Sequence, residues 1–135
     1  MIASVFRPSD DATVYLFHVP SNCFAVVSLE QLAHMLEALF GTDDCDGDES
    51  VAVRAADLAD SARALAAEVR DAIASHAVFV HPVTGTEVYA YEVDGFGNAL
   101  FMDDANVPSL LGLPYLGWCA ADDPLYRSTR DFVLR

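Results

Sequence analysis

The 135-residue chain has the size of one domain, and its 53% hydrophobic share and mean hydropathy of +0.27 exclude a disordered polypeptide. Its formal charge of −14 sets 21 acidic side chains against seven arginines and no lysine. Such a surface repels phosphate backbones and anionic lipid, so neither nucleic acid nor a membrane is an expected partner. Asp, Glu, Arg or His interrupts every apolar run before the ~20 residues of a spanning helix. The opening MIASVFRPSDD lacks the basic-then-apolar order of a secretory signal, so a cytoplasmic location is expected.

The first predicted helix follows Pro20-Ser21-Asn22, where Ser21 or Asn22 is placed to cap. FAVVSLEQLAHMLEALF carries apolar residues at helical spacing, and Gly41 ends it. TDDCDGDES then reads as a solvated acidic loop. With Gly47 at the glycine position of a calcium loop, the first and last ligand positions fall on Thr42 and Val53, so that motif fails. A second helix is predicted from near Ala52 to Ser75, with Leu58, Ala62, Leu65, Val69 and Ile73 as its apolar stripe, and the two helices are expected to pack as a hairpin. The period then shortens. AVFVHPVTGTEVYAYEVDGFGN reads as a β-hairpin turning at Pro82-Val83-Thr84-Gly85, with Asp94 to Asn98 as the next turn. Asp123-Pro124 is a cap followed by proline in the first turn, opening a final helix through LYRSTRDFVL. The three cysteines, Cys23, Cys45 and Cys119, are odd in number and widely spaced, which suits free thiols in a reducing compartment.

Three stretches carry polar groups suited to chemistry. RPSDD spans Arg7 to Asp11, EVDGFGN spans Glu92 to Asn98, and MDDANVPSLLGLPYLG puts Asp103, Asp104 and Asn106 directly before an apolar run containing Leu110, Leu111, Leu113 and Leu116. An adjacent acid pair ordinarily caps a helix or faces water. Acids at the rim of a segment entering a core need partners, and Arg7, Arg130 or sugar hydroxyls would serve. Carboxylates and amides bind neighbouring hydroxyls in pairs while aromatic faces stack on a sugar; Trp118, Tyr115, Tyr89 and Tyr91 are candidates for stacking, although such rings are more often core. His18, His34, His76 and His81 show no zinc-ligand spacing, no GxSxG elbow or phosphate-binding loop occurs, and no metal or cofactor is expected.

RPSDDA at 7–12, PSNCFAVVSL at 20–29, YAYEVDGFGNALFMDDANVPSLLGLPYLG at 89–117 and DPLYRSTRDFVL at 123–134 resemble successive blocks of glycoside hydrolase family 125. That family comprises bacterial exo-α-1,6-mannosidases and fungal meiotically up-regulated proteins. The resemblance covers nearly the whole chain. It implies a mainly α fold with a β-hairpin, forming part of an (α/α)6 barrel, and a metal-independent, inverting removal of terminal mannose. An α-mannoside is the implied partner. It further implies that Asp10 or Asp11 is the general acid, a choice the sequence leaves open, and that Asp103, Asp104 and Asn106 line the terminal-sugar subsite with Arg7 and Arg130 as partners of the acids. Family members are much longer than this chain, and their basic carboxylate lies beyond Arg135; Glu92 matches a different block. Residues 1–135 are therefore expected to be one barrel segment incomplete at both ends, inactive alone and prone to self-association through uncovered helix faces. The alternative is a non-catalytic mannoside-binding or structural remnant.

Overall fold

The computed structural model describes residues 1–41 and 49–135; the acidic stretch at 42–48, with Cys45 and the rejected calcium loop, lies outside them. The chain is mainly helical with small antiparallel sheets. Strand β1 (Phe17–His18) leads directly into α1 (Val19–Phe40), followed by α2 (Glu49–His76), β2 (Val78–Val80), β3 (Glu87–Tyr89), β4 (Glu92–Val93), β5 (Ala99–Leu100) and α3 (Pro124–Val133).

Helix α1 starts earlier than expected, and its cap is neither Ser21 nor Asn22. His18 is the N-cap residue, its ring accepting the Ser21 N–H, while Pro20 sits in the first turn where no intrahelical donor is needed. Asn22 is diverted to the chain start: its Oδ1 accepts the Ile2 N–H at 2.6 Å and its Nδ2 donates to the Ile2 and His18 carbonyls. Gly41 closes the helix, its N–H donating to the Glu37 carbonyl. By length and composition α1 would qualify to cross a membrane. Its two acids, Glu30 and Glu37, reach across to α2, pairing with Arg70 and Arg63.

The buried face of α2 is Ala55, Ala59, Ala62, Ala66, Val69 and Ile73, recurring every three or four residues. Of the expected stripe, Leu58 and Leu65 are instead exposed. Alanine lets the two helices approach closely, and Ala33 of α1 packs against Ala59 and Ala62. The exposed ion pairs between the helices add little to stability by comparison.

The expected hairpin is present: β2 pairs antiparallel with β3, Val78 opposite Tyr89 and Val80 opposite Glu87, around a turn where Gly85 has φ 68°. A second sheet, ordered β1-β4-β5, was legible only in its β4-β5 turn. It joins Phe17 to Val93 and His18 to Glu92, a pairing across more than seventy residues that local pattern does not reveal. Both units close over one core containing Val19, Cys23, Val26, Val69, Ile73, Tyr91, Val93, Leu110, Leu113 and Tyr126. Helix α3, capped by Asp123 as expected, docks on β3 through fully buried Thr129, whose Oγ1 accepts the Tyr89 N–H at 2.9 Å and donates to the Leu125 carbonyl at 2.8 Å. Thr129→Val keeps the shape but leaves the Tyr89 amide without an acceptor. It is expected to cost ~1–3 kcal/mol by denaturant melting, and an unchanged midpoint would mean that α3 is held by packing alone.

Candidate active site

The RPSDD block folds as a tight loop. The Arg7 N–H donates to the Asp11 carbonyl at 2.8 Å and the Asp10 N–H to the Arg7 carbonyl at 3.0 Å, with Phe6 and Ala12 bridged antiparallel at its base. Asp10 takes φ 66°, a left-handed conformation that Asp tolerates better than most residues. Both Asp10 and Asp11 project from this loop as exposed side chains.

The loop is fastened to the body by Glu92. This fully buried carboxylate accepts Arg7 Nε at 2.6 Å on Oε1, and the Val14 and Tyr15 amides at 2.7 and 3.0 Å on Oε2. Burial alone would raise its pKa, but the Arg7 bond and the two amides override this and leave it lowered. The Arg7 guanidinium also lies over the Tyr91 ring, 5.5 Å from its centroid.

The two acids of the opening apolar block do different work. Asp103 accepts the Leu110 N–H on Oδ1 at 2.8 Å and the Leu111 N–H on Oδ2 at 2.9 Å, while Leu110 and Leu113 are fully buried behind it. Burial pushes its carboxyl upward even against those amides. Asp104 turns the other way: its Oδ1 accepts the Asn106 N–H and Nδ2 at 3.0 and 2.9 Å, and its carboxyl is held below the usual range by these bonds and by the Ser9 hydroxyl. The same hydroxyl lies 3.0 Å from Asp11 Oδ2. Ser9, which donates to Asp11 and acts on the Asp104 carboxyl, thus lies where two blocks separated by more than ninety residues meet at one rim.

Other candidates fall elsewhere in function. Arg130 is exposed on α3 and paired with Asp131 at 3.6 Å, whereas the arginine whose charge acts on Asp104 is Arg7. Tyr89 and Tyr91 are core, and Trp118 is covered by Arg70, 4.6 Å from its ring, with its Nε1 donating to Tyr89 Oη. Tyr115, 88% exposed, is the one of the four free to stack. Asp94 holds its own turn, accepting from the Phe96 and Asn98 amides and Asn98 Nδ2. Three participants were missed: Ser9, Glu92 as an anchor, and His18, whose ring meets Tyr91 edge to face. Proline two residues after His18 was the available sign that a cap stands there.

The family model for metal-independent α-mannosidases, glycoside hydrolase family 125, matches residues 1–135. The chain belongs to this family. It is 47% identical over 134 residues to the meiotically up-regulated gene 157 protein of Schizosaccharomyces pombe, covering 99% of this chain and 23% of that protein. It also superposes, with a TM-score of 0.77 and 42% identity, on a Streptococcus pneumoniae metal-independent α-mannosidase solved in a non-productive complex with α-1,6-mannobiose. That match takes in the whole chain and 29% of the bacterial one, so the family member described here spans about a quarter of the length of these relatives.

His18 gives the region a pH signature. Burial lowers its pKa from 6.5 to about 4, against the pull of Glu92. Below pH 6.5 the unfolded chain takes up a proton that the folded chain refuses. This contribution is thus present above pH 6.5 and lost as pH falls toward 4, with a limiting slope of about 1.4 kcal/mol per pH unit. His18→Asn, a competent cap that does not titrate, is expected to flatten this part of the stability profile; parallel wild-type and variant profiles would contradict it.

Proposed function

We propose that these residues form the acid-bearing side and part of the terminal-sugar subsite of an inverting exo-α-1,6-mannosidase with an (α/α)6 barrel. The observation that carries the reading is the place of Ser9, whose hydroxyl donates to Asp11 Oδ2 and also lowers the Asp104 carboxyl, so that the exposed Asp10-Asp11 pair adjoins Asp104. Membership of the family and likeness to an enzyme crystallised with α-1,6-mannobiose support the substrate class. The antiparallel pairing of α1 with α2 is the kind of helical hairpin from which such a barrel is assembled.

In the proposed reaction the acid, Asp10 or Asp11, donates its proton to the glycosidic oxygen as the bond from the anomeric carbon breaks. Water attacks the opposite face of that carbon and gives up a proton to a second carboxylate, inverting the configuration. Asp104 and Asn106 would bind hydroxyls of the terminal mannose, and Arg7 would keep the acid loop in register. Glu92, Asp94 and Asp103 are poor candidates for the base, because each already spends its carboxylate on Arg7 or on backbone amides. We assign the base to a residue outside these 135, and expect the isolated chain to leave α-1,6-mannobiose intact. Phe24, Leu32, Met35 and Leu39 form an exposed apolar stripe on α1 that favours self-association of the isolated chain.

In a full-length protein carrying this segment, Asp→Asn at the acid should slow hydrolysis of α-1,6-mannobiose by roughly 10²–10⁴-fold while largely sparing a mannoside whose activated leaving group needs no proton. If Asp10→Asn and Asp11→Asn both leave the disaccharide rate intact, the acid is not on this loop.

A further inference from the structure

His18 and Tyr91 meet with ring centroids 4.6 Å apart and planes at 89°. Both side chains are fully buried, yet His18 Nε2 and the Tyr91 hydroxyl have no hydrogen-bond partner among the described residues. Buried polar atoms are nearly always satisfied, so two such atoms on touching rings call for a guest. The chemistry of that guest can be read from the rings. His18 Nδ1 accepts the Ser21 N–H at 3.3 Å and lies 2.7 Å from Ser21 Oγ. Because an amide can only donate, Nδ1 is unprotonated and the ring proton sits on Nε2. Nε2 is therefore an unmet donor, and the Tyr91 hydroxyl can donate or accept. Burial holds His18 neutral and raises the Tyr91 hydroxyl above its ordinary range, so neither ring presents a charge. The charges nearby are Arg7 and Glu92, which are paired with each other, Asp104, which accepts from Asn106, and Asp103, which holds the Leu110 and Leu111 amides. A neutral group with one oxygen and one proton fits both rings.

We propose that His18 Nε2–H and the Tyr91 hydroxyl together bind a single hydroxyl group, at the joint between the start of α1 and the loop fastened by Arg7. The hydroxyl oxygen accepts from His18, and the second bond runs between it and Tyr91 Oη. Its source is a water molecule or a hydroxyl of the terminal sugar; the latter source rests on the mannoside reading. The Arg7 side chain, 12% exposed, lies over the Tyr91 ring.

Tyr91→Phe deletes only the hydroxyl, and the test is thermal melting of the wild-type chain and this variant with and without a large excess of mannose. Removal of an oxygen that is truly unbonded would leave Tm unchanged or raised, whereas loss of a bonded one should lower it by roughly 3–5 °C in a domain of this size. A lower Tm with no difference in the response to mannose assigns the hydroxyl to water. A mannose-induced rise in the wild type that Tyr91→Phe abolishes assigns it to the sugar. If mannose shifts neither protein but the variant still melts lower, the hydroxyl site stands and the mannoside reading loses support. An unchanged or raised Tm, together with an equal mannose response in both proteins, would overturn the proposal. So would a crystal structure with no oxygen atom within hydrogen-bonding distance of both Nε2 and Oη.

Discussion

One buried carboxylate organises the candidate site. Glu92 has no contact with solvent, and its two oxygens take a guanidinium N–H and two backbone amides from a segment 77 to 85 residues earlier in the chain. A charge in such a place is tolerated only because every lone pair facing the loop is used. The consequence is positional: Arg7 cannot leave Glu92 without abandoning a buried charge, so the turn carrying Asp10 and Asp11 is fixed against β4. Ser9 of the same turn lies beside Asp104 and lowers its carboxyl. What the anchor stabilises is a local geometry more than the fold, since the helical hairpin of α1 and α2 is closed independently by its alanine face.

The acids of the region divide by what their oxygens are doing. Asp103 and Asp94 serve their own backbone, the first gripping the turn that leads into Leu110 and Leu113, the second holding the Gly95 to Gly97 turn. Glu92 serves the distant loop. Asp10, Asp11 and Asp104 remain on the rim with exposed or partly exposed carboxylates, and these are the ones suited to meet hydroxyl groups. Adjacent acids in the chain therefore do not share a role: Asp103 points inward to secure the apolar anchor so that Asp104 can point outward from it.

Much of this was legible in the sequence where the signal is local. The α1 and α2 periodicity, the Thr84-Gly85 turn and the Asp123-Pro124 cap each depend on residues within a few positions, and each element is present. The buried stripe of α2 was misread because leucine outranks alanine in hydrophobicity, while close helix packing prefers the smaller side chain. Two of the loops that the family blocks singled out lie together in the fold, Ser9 of the Asp10-Asp11 turn acting on Asp104. What stayed hidden was the pairing of β1 with β4 and the duties that follow from it. Neither Glu92 as anchor nor the His18-Tyr91 contact has any signature at short range, because both arise from strands joined across more than seventy residues. Arg130, named as a partner of the acids, is carried by α3 and pairs with Asp131.

The central claim, that Glu92 holds the acid-bearing loop, is tested most directly by amide hydrogen exchange at Val14 and Tyr15 in the wild type and in Glu92→Gln. The variant keeps the shape of the side chain but replaces two anionic acceptors with one neutral carbonyl and a donor. The account predicts that exchange at these two amides accelerates by at least about tenfold, while amides in the middle of α2, such as those of Ala62 and Val69, keep their wild-type rates. Unchanged protection at Val14 and Tyr15, or a uniform acceleration across the whole chain, would contradict it.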